Sequence, residues 1–406
     1  MTSISPRPNV IRYPLASDSG PGGAPVSFVD TPEGLLRLLQ EMREAGRVAV
    51  DIESNGMFAY HPLVCTVQLA WETKEGSTRV AVVDTLAVPL ALLSELLGNP
   101  RVLKVIHDLA FDARMLRAEG VPLRSVRDTS VAATYLAKPG TGLASLLAAE
   151  LDVHVSKEMQ NSDWARRPLS DESLAYLAGD VSHLLQLDAL LARQVREARI
   201  ADEVATETAY RLVDALEAPP EPEAPHVRIR GAEKLSEVGW RVIEAIARTR
   251  EELARDKNLP PQRVLGDRLL VAMAERPPQS DRELLRIGLV KRLRDDERAA
   301  LLACITTAVA ETRARPGSTQ RPPPPAPMPA GLLAMRKSVE KRLQTWRRAE
   351  AERRRVHEQV VLPTHCIRWI VGKSPATAEQ IASLPGLGAA RAERYAKHLA
   401  ELTAGS

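Results

Sequence analysis

Two proline-rich segments interrupt the 406-residue chain and limit how it can fold. One reads EAPPEPEAP within residues 217–227, and the other reads RPGSTQRPPPPAPMPAG around residues 313–330. Proline has no backbone N–H donor and a fixed φ, so such runs end helices and sheet ladders and favour extended linkers. A chain of this length with two such linkers is expected to form several domains. The predicted parts are a disordered tail at 1–25, rich in Pro, Gly and Ser, and three folded blocks at 26–216, 228–312 and 331–404.

Composition indicates a soluble globular protein, with 44% hydrophobic and 26% charged residues. No apolar run approaches the roughly 20 residues of a membrane span, and the N-terminus lacks the apolar core of a secretory signal. Cys65, Cys304 and Cys366 have no zinc-ligand spacing, so we expect no disulfide framework and a cytoplasmic location. Net charge is only +3, but basic residues concentrate in RKSVEKRLQTWRRAEAERRRVHEQ, which points to a polyanionic partner.

The first block alternates strand-like and helix-like pieces. RVAVDIES, VCTVQLAWE and RVAVVD are consecutive apolar runs with short connections, and VLKVIHDL leads into the helix-like stretch FDARMLRAEG. After Ser130 the block is predicted to be helical. This order is typical of a mixed α/β sheet with helices packed on it. The second and third blocks are predicted to be helical throughout, each with a long helix followed by a Leu-Pro break, as in a divergent duplication.

Five residues of the first block are candidates for chemistry. Asp51 and Glu53 are two apart in a strand, which points both side chains to one side. Asp112 lies at the start of a helix, and Tyr176 and Asp180 are four apart on another, which places them on one face. Neighbouring carboxylates are tolerated mainly when a cation neutralises them. Because no His or Cys belongs to the group, Mg²⁺ or Mn²⁺ is the expected cation.

Each of these residues also has a simpler interpretation. Asp51 and Glu53 can form a solvated strand end, and Asp112 can simply favour the dipole of its helix. Tyr176 and Asp180 can be an ordinary pair on a surface helix, with the aromatic ring half buried. Asp108 competes with Asp112 for the same role, and His107–Asp108 can also be read as a metal-dependent hydrolase dipeptide. The residues alone leave these alternatives open.

The order Asp-x-Glu, Phe-Asp, Tyr-x-x-x-Asp resembles the DEDD superfamily of 3′–5′ exonucleases, in its tyrosine-bearing subgroup. More closely, KEMQNSDWARRPLSDESLAYLAGDVSHLLQL is similar to the ribonuclease D family, which carries Ser-Asp-Trp, Arg-Pro-Leu and Tyr-Ala-Ala-x-Asp-Val. Here Leu177, Ala178 and Gly179 stand in place of Ala-Ala-x. The second block resembles an HRDC domain, and the third resembles a more divergent copy. The resemblance implies a ribonuclease H-like mixed-sheet exonuclease domain followed by two all-α HRDC-like domains.

The same resemblance implies a mechanism with two divalent ions. Asp51, Glu53 and Asp180 would hold one ion, and Asp51 with Asp112 would hold the second, partly through water. Tyr176 would orient the attacking water. The product would be a nucleoside 5′-monophosphate from an RNA 3′ end, in the maturation of tRNA or another stable RNA.

Further candidates concern substrate binding. Six residues near the acids are expected to contact RNA, namely Met57, Phe58, Gln68, His107, Lys157 and Arg167. Met57 or Phe58 can stack on the terminal base, although Phe58 can equally pack in the core. Arg167 can bind a phosphate or pair with Asp163. Trp164 is expected to pack.

A basic stripe in the third block is expected to bind the nucleic-acid backbone. Its four residues lie within about 40° on a helical wheel and are Lys337, Lys341, Arg348 and Arg355. An ordinary solvated face is the alternative. The Leu384–Gly388 turn resembles a helix-hairpin-helix turn, whose amides can touch phosphate, or simply ends a helix.

Two other functions remain open from the sequence. The same acids can attack DNA, because the phosphodiester is common to both polymers. A catalytically silent nucleic-acid-binding protein is the second alternative, but it would have no reason to collect carboxylates where a polyanion docks.

Overall fold

A computed structural model describes residues 10–11, 26–156, 158–218, 224–288, 293–317 and 328–404. Within them the chain forms two compact units. One comprises Met1–Ser54, Val64–Glu217 and Met328–Ser406, and the other comprises Asn55–Leu63 and Ala218–Pro327. The third block therefore shares a unit with the first, an association that the two linkers alone did not predict. No helix among the described residues has both the length and the apolarity to cross a membrane.

The first block contains a mixed sheet. Its strands are β1 (Val10–Ile11), β2 (Val26–Val29), β3 (Arg47–Ser54), β4 (Val64–Glu72), β5 (Thr78–Asp84), β6 (Leu103–Ile106) and β7 (Val126–Asp128). The strand order is β1-β2-β5-β4-β3-β6-β7. The β3–β4–β5 meander is antiparallel, whereas β2 pairs in parallel with β5, and β3, β6 and β7 are parallel to one another. The predicted mixed α/β sheet is confirmed.

The edge strand β1 lies in the segment that the sequence predicts to be disordered. It pairs antiparallel with β2, so the prediction of a disordered tail does not apply to Val10–Ile11. The rest of 1–25 lies outside the described residues.

Helices cover both faces of the sheet. They are α1 (Pro32–Glu41), α2 (Ser94–Leu97), α3 (Ala110–Ala118), α4 (Thr129–Tyr135), α5 (Leu143–Leu151), α6 (Asp171–Ser182), α7 (Leu184–Glu197) and α8 (Ala201–Leu216). Successive side chains of β3 point to opposite faces of the sheet and so belong to two different apolar cores. Ala49 packs with α4 to α7 on one face. Val48, Val50 and Ile52 pack with α1 and α3 on the other face. Asp51 and Glu53 share the parity of Ala49 and therefore face the side that α6 covers.

The two remaining blocks are helical, as predicted. The second contains α9 (Glu237–Asp256), α10 (Pro261–Val264), α11 (Asp267–Glu275), α12 (Asp281–Arg286) and α13 (Asp295–Ala314). The third contains α14 (Ala330–Arg354), α15 (Glu358–Val361), α16 (Thr364–Lys373), α17 (Ala378–Ala382) and α18 (Ala389–Ala404). Each has its own apolar core. All three cysteines are free.

Candidate active site

The C-terminal half of β3 presents two acids beyond the end of its neighbour. Within β3, only Arg47, Val48 and Ala49 pair with β6, so the strand from Val50 onward projects past β6. The register with β4 shifts between Glu53 and Ser54, where the strand ends. This projection leaves the side chains of Asp51 and Glu53 half-buried and open to a pocket rather than enclosed in the sheet.

Helix α6 brings the third acid to the same place. Ser170 caps the helix by accepting the N–H of Ser173 at 3.1 Å. The helix packs on β3, β4 and β5 through Leu174, Leu177, Ala178 and Val181. The helical spacing then directs Asp180 towards β3, where ligand oxygens of Asp51, Glu53 and Asp180 all lie within 4.8 Å of one another.

Tyr176 lies one turn before Asp180 in the same pocket. Its ring stacks on buried Trp164, with ring centroids 5.6 Å apart and an interplanar angle of 25°. Trp164 is only 2% exposed, which confirms that it packs. Its indole N–H favours the ionised form of Glu53 and so partly opposes the rise in the Glu53 pKa that burial causes.

A buried aspartate shapes the loop that carries the fourth acid. Asp128 accepts the N–H groups of Asp108 at 3.0 Å and Leu109 at 3.1 Å, and it also caps α4. This bond pattern holds Asp108 in a left-handed conformation, with φ of 62°. Helix α3 starts directly after the loop and places Asp112, 4% exposed, in the pocket of the other acids. Asp112 lies outside the 4.8 Å cluster of three acids.

Burial is the main cause that raises the pKa values of all four acids. Burial raises the pKa of Asp51 to about 7, and burial together with the charges of Asp51 and Asp180 raises that of Glu53 to about 9. The pKa values of Asp112 and Asp180 are also raised, first by burial and then by neighbouring carboxylates. Without a cation, ionising all four is costly, so the site is suited to divalent metal ions.

The pocket between these elements has a volume of about 600 Å³. It brings together six residues predicted from the sequence, namely Asp51, Glu53, His107, Asp112, Tyr176 and Asp180. The His107 ring nitrogen Nδ1 lies 2.8 Å from the Thr129 hydroxyl, and burial lowers the pKa of His107. Sequence reasoning missed Arg211 of α8, which lines the same pocket. A Glu four residues earlier was the available signal, but such pairs are common on surface helices.

Two residues expected to contact substrate, Gln68 and Arg167, make hydrogen bonds within the protein. Gln68 is fully buried within β4 and donates to Thr66 at 2.7 Å. Arg167 does not pair with Asp163; its Nε and Nη2 atoms donate to Asp84 at 2.6 and 2.7 Å. Its guanidinium also donates to three backbone carbonyls, which gives it a structural role.

Of the other residues expected to contact RNA, two belong to the second unit and one lies outside the described residues. Met57 and Phe58 belong to the Asn55–Leu63 segment of the second unit, where Met57 is 60% exposed and the Phe58 ring lies 4.4 Å from the Arg263 guanidinium carbon. Lys157 lies outside the described residues.

The basic stripe of the third block is exposed at all four positions, Lys337, Lys341, Arg348 and Arg355. Helix α14 ends at Arg354, however, and Arg355 has φ of 54°, so the last member leaves the helical register. Arg348 lies 3.5 Å from the carboxylate of Glu358. The Leu384–Gly388 turn lies against α8 of the first block, with Gly386 beside Tyr210 and Gly388 beside Thr206.

Comparisons with known proteins agree with this arrangement. A 3′-5′ exonuclease family model matches residues 26–196, and an HRDC domain model matches residues 241–305 and 336–403. The chain is 35% identical to the ribonuclease D of Gluconacetobacter diazotrophicus over 283 residues, which cover 68% of this chain and 70% of the relative. It is 33% identical to the ribonuclease D of Acidiphilium cryptum over 320 residues, covering 76% and 79%. The solved structure of Escherichia coli RNase D has the same fold, with a TM-score of 0.67 at 22% identity, covering 93% of this chain and 98% of that one.

Proposed function

Because this chain belongs to the ribonuclease D family of 3′–5′ exoribonucleases, we propose that its acidic pocket releases nucleoside 5′-monophosphates from RNA 3′ ends with two divalent ions. The observation that carries this proposal is the convergence of Asp51, Glu53 and Asp180 within 4.8 Å. All three offer only carboxylate oxygens, the donors that Mg²⁺ and Mn²⁺ prefer. Asp112 lies in the same pocket but outside that cluster, which suits a second ion shared with Asp51.

In the proposed reaction, the protonation states of Tyr176 and His107 determine what each side chain can do. When bound, paired divalent ions lower the pKa of an attacking water and stabilise the leaving oxygen of a phosphodiester. Burial and three nearby carboxylates raise the pKa of Tyr176, so its hydroxyl keeps its proton and can hold a water by hydrogen bonds. Burial lowers the pKa of His107, which favours the neutral imidazole at this pocket.

We further propose that the substrates are structured RNAs with a single-stranded 3′ tail, such as tRNA precursors. The E. coli RNase D is described as an exoribonuclease involved in structured RNA processing. In this chain, a groove of about 640 Å³ is lined by Arg348 and Arg355 of the third block and by Tyr135, Ala137 and Ala198 of the first. Exposed arginines beside a groove suit a sugar–phosphate backbone, which is bound mainly through its charge.

The direct test incubates the full chain with a 3′-tailed hairpin RNA and with a DNA of the same sequence. Each is assayed with Mg²⁺, with Mn²⁺ and with a chelator, and the products are identified by mass spectrometry. We expect stepwise release of nucleoside 5′-monophosphates from the RNA, dependent on metal and abolished by Asp51→Asn. Internal cleavage, 3′-monophosphate products or undiminished activity of Asp51→Asn would refute the proposal.

A further inference from the structure

The acidic pocket contains one cationic side chain that the proposed mechanism does not use. Arg211, on α8, is the only lysine or arginine among the described residues that line the pocket. Its side chain is 33% exposed, so it reaches both solvent and the protein interior. Asp51, Glu53 and Asp180 line the same pocket, and their negative charges repel RNA.

The guanidinium of Arg211 is held at one nitrogen and open at the others. Its Nε donates to Oε1 of Glu207, one helical turn earlier, at 3.1 Å. The two terminal amino groups make no hydrogen bond within the described part of the chain. A guanidinium fixed at Nε presents these amino groups in the forked geometry that binds a phosphate through two parallel bonds.

Glu207 is itself fixed from two directions. It is 5% exposed, and its second carboxylate oxygen, Oε2, accepts the hydroxyl of Tyr135 at 3.1 Å. Tyr135 ends α4, the helix whose Ser130 and Thr134 line the pocket. A buried carboxylate with both oxygens occupied has little freedom to rotate, so it holds Arg211 in one place.

The third block contacts the same carboxylate. His365 places Nδ1 at 3.8 Å from Oε2 of Glu207, and its ring stacks on Tyr210 with centroids 3.8 Å apart. Arg391 is 1% exposed and donates to the Tyr135 hydroxyl at 3.4 Å. Its other nitrogens donate to the backbone carbonyls of Val360 and Leu387. The third block therefore packs against the residues that hold Arg211.

We propose that Arg211 binds a backbone phosphate of the RNA 3′ end and that Glu207 is its positioning residue, kept in place by Tyr135 and by the docked third block. This inference rests on the exoribonuclease function proposed above. It also gives the third block a role at the active site that does not require it to touch RNA there.

The test compares Arg211→Gln, Arg211→Lys and Glu207→Gln in the full chain, with Arg193→Gln as the matched control. Arg193 also forms an arginine–glutamate pair one turn apart, with Glu197 at 3.8 Å, but on α7 and outside the pocket. We expect Arg211→Gln to raise KM by about tenfold, the loss of one charge-assisted contact, with a smaller effect on kcat. Arg211→Lys keeps the charge and should recover part of the loss.

Salt dependence separates a binding role from a positioning role. Affinity for single-stranded RNA is measured by fluorescence anisotropy over a range of salt, with each variant placed in the Asp51→Asn background so that no RNA is degraded. Arg211→Gln should reduce the slope of log K against log salt by about 0.7, because one phosphate contact is lost. Glu207→Gln leaves the Arg211 charge in place, so it should raise KM severalfold while the slope changes less.

The inference is overturned if Arg211→Gln matches Arg193→Gln in KM and in salt slope. The positioning role fails if Glu207→Gln lowers the melting temperature without changing KM. These results differ from a failure of the proposed function, in which the wild-type chain itself releases no mononucleotide. The anisotropy measurement still reports on Arg211 in that case.

Discussion

Replacing Arg167 by methionine is expected to destabilise the first unit rather than weaken RNA binding. Arg167 donates two bonds to Asp84, at 2.6 and 2.7 Å, and three bonds to backbone carbonyls. The Asp84 side chain is 6% exposed and ends β5, whereas Arg167 belongs to the loop that carries Trp164. The pair therefore joins the sheet to the loop on which Tyr176 stacks.

The expected loss of folding stability follows from the buried Asp84 carboxylate that Arg167→Met leaves without its cation. Without Arg167, the Asp84 carboxylate stays buried and keeps the N–H of Leu86, at 3.0 Å, as a partner. Breaking a buried ion pair by removing one partner costs about 3–5 kcal/mol. The neighbouring Arg166 is 87% exposed and lies 3.9 Å from Asp163, so Arg166→Met should cost no more than about 0.5 kcal/mol.

Urea unfolding and steady-state kinetics of Arg167→Met and Arg166→Met distinguish a structural role of Arg167 from a phosphate-binding role. The chain has two compact units, so the transition of the unit that contains β5 is followed separately. Asp84→Asn combined with Arg167→Met should recover part of the lost stability, because no uncompensated charge remains buried. If Arg167→Met unfolded like Arg166→Met and raised only KM, the arginine would bind phosphate and the structural role would be wrong.

Three other predictions concern the metal site and the basic stripe. Asp51 and Glu53 have folded-state pKa values of about 7 and 9, above their ordinary values of 3.8 and 4.5, so the folded metal-free protein binds more protons than the unfolded chain. Its stability should therefore fall by at least about 1 kcal/mol as pH rises from 5 to 8, and thermal unfolding in a chelator should show a loss that Mg²⁺ reverses. Tyr176→Phe should lower kcat by about 100-fold while calorimetry shows Mn²⁺ affinity unchanged; equal loss of both would contradict a water-orienting role. Lys337→Glu with Lys341→Glu should weaken binding of a tRNA-sized RNA at low salt but not of a short oligonucleotide, whereas equal effects on both would place the stripe at the active site.

Local periodicity was sufficient to predict which acids share a face of a strand or helix, whereas their expected role as metal ligands came from the resemblance. The alternation of β3 puts Asp51 and Glu53 on one face, and the helical turn puts Tyr176 and Asp180 on one face; neither inference needs the tertiary structure. The structure adds why these faces meet, since α6 packs its apolar side on β3 to β5. Fold class was equally predictable, because the change from strand-like to helical patterns is a property of sequence alone.

The surroundings of the residues expected to bind substrate depend on tertiary contacts, which proximity along the sequence does not reveal. Gln68 is the cross-strand partner of Asp51, yet α6 packs on β4 and the Gln68 side chain is fully buried. Arg167 lies near the Ser-Asp-Trp motif but finds Asp84, 83 residues earlier in the chain. Arg211 enters the pocket from α8, a helix that carries no recognisable motif. Such pairings follow from how helices pack, which spacing along the chain does not encode.

Docking of the third block also limits where that block can meet RNA. Gly386 and Gly388 have φ of 78° and 80°, a region that favours glycine, and a Cβ at either position would collide with Tyr210 or Thr206 of α8. Glycine is thus needed at this turn for close approach to the first block, and a phosphate would have to displace α8 to reach it. Helix α14 keeps its basic stripe exposed, and its end borders the groove with Tyr135 and Ala137. Backbone contacts by the third block are therefore expected along α14, at the groove beside α4, and not at the Leu384–Gly388 turn.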